Sequence, residues 1–342
     1  MPSRFPPFAQ SSSLSLGRLI LRPSTRSLQR YAGRTILALS LLLSAAGCSP
    51  SPPPSPTQVP GEAVAIDRLY PPATGPSTNQ TFTLLKSYPQ KVWLTGVDIA
   101  VKDQTTDAPV KGVLSAATVG FQDVERHRQL NALDGPLSPS LFHPGPELTS
   151  LELPDGYGIP LQSNEQLYLS AIWQNRDLYR PPLEARLDAT LHFAPDTQPP
   201  PKELRVHPVF ATVPEKSKDQ PRPYDKTLQL DGQGKAVSAR WLIPSGASEA
   251  HSLVSYQLPA ETTLTVRYLS AFVYDDWTYL ELTDLTTGAS LVRFTPGAPL
   301  TRTLAPPLTL DSRHRLELKV GYKNPAASDH VGAGMLVLYT DP

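Results

Sequence analysis

A metal site, a carboxylate pair and a lone thiol are the chemistries that residue types in this 342-residue chain could support. Of the seven histidines (His127, His143, His192, His207, His251, His314 and His330), none stands in a His-x-His or His-x₃-His pair. His127 in ERHRQL and His314 in SRHRLEL sit among charges and are expected on the solvated surface. His251, His330 and Met335 are the soft donors from which a displaced metal site would have to be built. Asp275 and Asp276 could be read as the carboxylate pair of a glycoside hydrolase. Neighbours on a strand point to opposite faces, however, and Asp-Asp suits a turn. PDGYG and LDGQG lack the repeated acidic ligands of a calcium loop. No Gly-x-Ser-x-Gly, P-loop or dinucleotide fingerprint is present. Cys48 is the only cysteine, which excludes an intrachain disulfide and a thiolate metal cluster.

Cys48 has a context of its own. Residues 1–61 carry six arginines and no Asp or Glu. All six precede the apolar run TILALSLLLSAAG, which is shorter than the roughly 20 residues a bilayer span needs. A basic region, a short apolar core and small residues before a cut site read as a secretory signal over residues 1–47. SAAGC resembles the lipobox of bacterial lipoproteins, with Ala45 where Leu is usual. The resemblance implies a diacylglycerol on Cys48 and a protein held to a membrane of the bacterial cell envelope, facing periplasm or exterior. The alternative is ordinary cleavage with Cys48 free. Removing residues 1–47 takes six of 31 basic residues and leaves 25 against 31 acidic ones, a net −6. An acidic mature chain offers no electrostatic footprint for nucleic acid.

The elements that would position any site are strands. SPSPPPSPTQVPGE (49–62) has no apolar period, and residues 48–64 are expected to be an extended tether. From about residue 65 the chain alternates. In RLELKV, Leu316, Leu318 and Val320 face one way while Arg315, Glu317 and Lys319 face the other. LPDGYGIP, IPSGAS and TPGAP supply turns between such runs. Many short strands, Pro-rich turns and no capped helical period predict an all-β chain of two jelly-roll β-sandwich domains. The joint is expected in APDTQPPPKE, giving domains over 65–198 and 199–342. LYLSAIW (167–173) and RYLSAFV (267–273) echo one another between the halves.

Residues 266–288, VRYLSAFVYDDWTYLELTDLTTG, bring in a family. WLIPSG followed by His251, then YLELTDLTTG, VGYKNP and GAGMLVLY, occur in an order that resembles the C-terminal domain of copper type II, ascorbate-dependent monooxygenases. This is the group containing peptidylglycine α-hydroxylating monooxygenase. VWLTGVDIAVKD, LPDGYGIPL and LYLSAIWQN follow its first domain more loosely, so the resemblance covers residues 65–342. It implies two jelly rolls side by side with a copper in each, across a cleft. The positions that match its ligands read Ala116 and Trp173 in the first half, and Phe272, Tyr274 and Met335 in the second. Period 2 puts Phe272 and Tyr274 on one face, as two imidazoles would be. A phenyl ring has no lone pair to give, and a lone thioether does not hold copper. The resemblance therefore implies a scaffold with its copper ligands lost and no cofactor. The expected function is non-catalytic: binding of a small molecule or a protein by a membrane-anchored lipoprotein, for instance in the cleft. The alternative is a copper monooxygenase with rearranged ligands, and a hydrolase stands further off. Trp173, Tyr274, Trp277 and Tyr279 read as core aromatics or, alternatively, as a binding groove.

Overall fold

Alternation in the sequence becomes burial in the sheet: Leu316, Leu318 and Val320 are buried, while Arg315 is exposed and Glu317 and Lys319 lie in between. The structure is a computed structural model that describes residues 55–83, 91–215, 220–224 and 229–342. Cys48, the signal over 1–47 and the start of the tether lie outside the described residues.

Each half builds eight principal strands into two four-stranded sheets. In the first half these are Thr57–Val59 (continued by Val64–Ile66), Ser77–Thr83, Lys91–Asp103, Leu114–Phe121, Ser140–Phe142, Tyr157–Gln162, Gln166–Trp173 and Leu183–Pro195. One sheet takes the first, eighth, third and sixth strands in that spatial order; the other takes the second, seventh, fourth and fifth. The second half repeats the plan with Arg205–Phe210, Gly246–Leu253, Thr263–Val273, Trp277–Asp284, Ala289–Phe294, Thr301–Asp311, Leu316–Asn324 and Gly334–Thr340. This is the double Greek key of a jelly roll, twice. The chain is all-β, with one short helix, Val124–Leu130, and a single 3₁₀ turn among the described residues.

Two expectations are corrected by this topology. The tether is shorter than 48–64, because Thr57–Val59 pairs with Leu191, Thr190 and Ala189, and Val64–Ile66 pairs further along the same strand. Val59 and Ile66 are buried. Pro56 and Pro60 flank the first of these pieces, and an edge strand tolerates proline where an interior strand does not. The stretch 194–203 is tied down rather than loose: Trp93 Nε1 donates to Asp196 Oδ1 at 2.7 Å, and Lys202–Glu203 pairs parallel with Tyr157 and Gly158. Leu204 is buried and the next strand begins at Arg205, so the sheets hand over with no open linker. The echo between LYLSAIW and RYLSAFV joins unlike strands, since Gln166–Trp173 is seventh in its half and Thr263–Val273 is third.

All seven residues of Gly334–Thr340 are buried. A strand covered on one face alternates, and one covered on both does not. One face of this strand looks into the second jelly roll, and the other is covered by the first: Tyr339 Oη donates to the Leu141 carbonyl at 2.9 Å. Arg176 bonds Asp275 at 2.6 Å, and Arg240 donates to the Ala73 carbonyl at 3.1 Å. Both cross between the halves.

Candidate functional site

The site follows from which sheets meet. A bulge between Val266 and Tyr268 resets the alternation of the third strand of the second half, and its pairing then sets Phe272 opposite Met335. On the other side of Met335 stands Phe210. In the first half, Ala116 lies opposite Ile172. Its neighbour Ala117 donates its backbone N–H to the Pro144 carbonyl at 3.0 Å, which extends the pairing of Val119 with Phe142 past the strand end. That extension carries His143 alongside Thr118, and Thr118 Oγ1 and His143 Nδ1 lie 3.4 Å apart.

These residues line a half-open cavity of about 280 Å³ between the two jelly rolls. Ala116, Thr118, His143 and Ile172 line it from the first half; Phe210, Arg240, Phe272, Tyr274 and Met335 line it from the second. Phe272 and Tyr274 meet edge to face with ring centroids 5.4 Å apart. Phe272 also covers the backbone at Gly145, where a Cβ would stand 3.0 Å from its ring. Arg240 sits over Tyr224, 5.9 Å from the ring centroid, besides its bond to Ala73.

One polar group in this lining stands out. His143 is 9% exposed, and among the described residues its Nε2 is buried with no hydrogen-bond partner. Burial disfavours the imidazolium and pushes the His143 pKa down to about 4, so the ring is neutral near pH 7. Histidine context in the sequence pointed elsewhere: His143 follows SLF and precedes PGP, an uncharged setting that spacing rules do not flag.

Of the positions matched to lost copper ligands, Ala116, Phe272, Tyr274 and Met335 share this cavity. Trp173 does not: it is fully buried in the core. The trio His251, His330 and Met335 is not assembled. His330 Nδ1 meets Asp276 Oδ2 at 2.8 Å, in the turn after Tyr274. His251 Nδ1 meets Glu317 Oε1 at 3.2 Å and lines a different, polar cleft of about 500 Å³ in the second jelly roll. That cleft also holds His314, bonded to Asp284 at 2.7 Å, and Arg313, bonded to Asp311 at 2.5 Å. Against the burial that would raise it, the His314 hydrogen bond keeps the Asp284 carboxyl down to about 2. Among the described residues no three His, Cys, Asp or Glu side chains converge as a metal would require. The soft donors lining the interdomain cavity are one imidazole and one thioether, which does not fit a type II copper.

His127 is corrected most sharply. It is buried, stacked on Phe121 with centroids 3.7 Å apart, and bonded to buried Glu165 at 2.6 Å. Asp275 and Asp276 occupy the turn between Thr263–Val273 and Trp277–Asp284, with Asp276 at φ 67°. Tyr279 is partly exposed and Trp277 buried in the core, so these two do not continue the cavity lining.

No protein-family model matches the chain, and no curated protein matches it. Among solved structures, it is similar to PNGase F, a glycosylasparaginase from Flavobacterium meningosepticum, at 11% identity over 84% of this chain and 96% of that one, with a TM-score of 0.34. It is also similar to the STIV MCP (10% identity, 84% and 96% covered, TM-score 0.29). A third is the triple jelly roll and turret assembly of an archaeal virus (11% identity, 82% and 59% covered, TM-score 0.22). At these scores the similarities carry no argument about function.

Proposed function

We propose that this protein is a non-catalytic lipoprotein of the bacterial cell envelope that binds a compact apolar small molecule between its two jelly rolls. The observation that carries the reading is the cavity itself: both halves contribute to it, and its lining is dominated by Ala116, Ile172, Phe210, Phe272 and Met335. Ligand sites are concave, mostly apolar, and frequent at domain interfaces. Size sets the class. An apolar cavity of about 150 Å³ accepts benzene, so one nearly twice as large suits a molecule of two fused rings.

Naphthalene is the direct probe. The wild-type protein should bind it saturably by calorimetry. Ala116→Leu should weaken that binding at least tenfold with the circular dichroism spectrum unchanged, because the larger side chain fills the cavity from the edge rather than the core. Absence of saturable binding, or an Ala116→Leu variant that binds as the wild type does, would overturn the reading. So would stoichiometric copper in protein purified with excess metal.

Lipidation at Cys48 is the second part of the proposal, supported by SAAGC and the basic, apolar and small-residue order before it. Full-length protein expressed in a bacterium should incorporate labelled palmitate and fractionate with membranes. Cys48→Ala should lose the label and either appear in the soluble fraction or remain unprocessed. Label retained by Cys48→Ala would refute the assignment.

A further inference from the structure

We infer that His143 is the polar anchor of the interdomain cavity, and that its ligand is a fused-ring-sized apolar molecule bearing one neutral hydroxyl-type hydrogen-bonding group. The inference rests on the binding role proposed above and adds what that role leaves open, the polar chemistry of the ligand.

The reasoning starts from cost. A buried polar atom with no partner costs about 1–3 kcal/mol, and buried side-chain polar atoms are mostly paired. His143 Nε2 is such an atom, on a ring that lines the cavity. Its other nitrogen is already directed by the Thr118 hydroxyl at 3.4 Å, so the ring is oriented and Nε2 is the end left to act. The pairing of Ala117 with Pro144 fixes the backbone beneath it, and Phe272 packs against Gly145 two residues on. The other polar groups of the lining have tasks of their own. Arg240 is spent on the Ala73 carbonyl and the Tyr224 ring, and the Tyr274 ring packs on Phe272.

Charge narrows the class further. His143 is neutral near pH 7, so it offers a hydrogen bond and not an ion pair. A neutral imidazole nitrogen is either a donor or an acceptor, according to the tautomer. A hydroxyl satisfies both cases, since it can donate and accept.

Naphthalene and 2-naphthol separate this inference from the reading beneath it. In a purely apolar cavity the hydroxyl is a penalty, because it leaves water and finds nothing. With His143 as anchor, 2-naphthol should bind wild-type protein about tenfold more tightly than naphthalene, the size of one buried hydrogen bond that rescues an orphaned partner. His143→Phe should still bind naphthalene and should invert the order of the two ligands. Naphthalene binding as tightly as or more tightly than 2-naphthol in the wild type overturns the anchor while leaving the cavity reading intact, and that outcome is also expected if water alone satisfies Nε2. Failure of both probes to bind overturns the two together. The wild-type comparison stands without the variant, so a His143→Phe protein that folds poorly does not remove the test.

Discussion

Glu165→Ala is expected to destabilise the first jelly roll by about 3–5 kcal/mol, the cost of breaking a buried hydrogen-bonded pair from one side. Glu165 is 3% exposed and His127 2% exposed. One carboxyl oxygen takes the His127 Nδ1 contact at 2.6 Å. The other accepts from Asn131 Nδ2 at 2.8 Å and from the Gln162 backbone N–H at 2.6 Å. Truncation to alanine removes the partner of His127, of the Asn131 amide and of the Gln162 N–H at once, and leaves the imidazole stacked on Phe121 with the Asn131 amide at 3.2 Å as its remaining contact. The helix Val124–Leu130 would lose a main tie to the sheet, because its caps are local: Asp123 accepts from the Arg126 N–H at 2.9 Å, and Glu125 reaches Arg128 and Gln129. Glu165→Gln keeps one acceptor oxygen for Gln162 and Asn131 and should lose less. Urea denaturation at pH 7 measures both. A Glu165→Ala protein within 1 kcal/mol of wild type would show that the pair is incidental.

That pair also shows where local sequence rules stop. ERHRQL reads as a charged, solvated run, and Glu125, Arg126 and Arg128 do face outward. Helical spacing nevertheless groups Val124, His127 and Asn131 on one side, and that side is the one that meets Glu165. A seven-residue helix is too short for its period to outweigh its charge. Period 2 was far more legible. It gives the half-buried strand at Leu316–Asn324, which is settled within one strand, and the shared direction of Phe272 and Tyr274, although Tyr274 stands one residue past the end of Thr263–Val273. Met335 could not be placed by the same rule: every residue of its strand is buried, and the second cover comes from a sheet some 200 positions away in sequence, through Leu141 and Tyr339. The cavity is a property of that meeting. Ala116 and Met335 stand in separate domains, and nothing in either strand states that they line one space. His143 is hidden for the same reason, since the cavity it lines is completed by Phe210, Phe272 and Met335 of the second jelly roll.

Burial of His143 has a consequence for acid stability, and it is expected to be large. The ordinary imidazole pKa of 6.5 holds in the unfolded chain, and burial lowers it to about 4 in the folded protein. The unfolded state therefore binds a proton that the folded state refuses, so this contribution is fully present above pH 6.5. It is lost progressively as pH falls from about 6.5 to about 4 and changes no further below that. At 1.36 kcal/mol for each pH unit of displacement, the loss across the window is about 3 kcal/mol. Arg240 and Tyr274 are the other ionisable side chains that line the cavity. His207 is also held down to about 4, by burial and by the charge of Arg205, but it is present in wild type and variant alike and cancels in their difference. His143→Phe removes the titrating group and keeps a ring of similar shape. Unfolding free energies at pH 7 and pH 4.5 should accordingly fall more steeply in the wild type than in His143→Phe, by about 2–3 kcal/mol. Parallel pH profiles for the two proteins would mean that His143 is reached by solvent in the native state, and that its nitrogen has water as its partner.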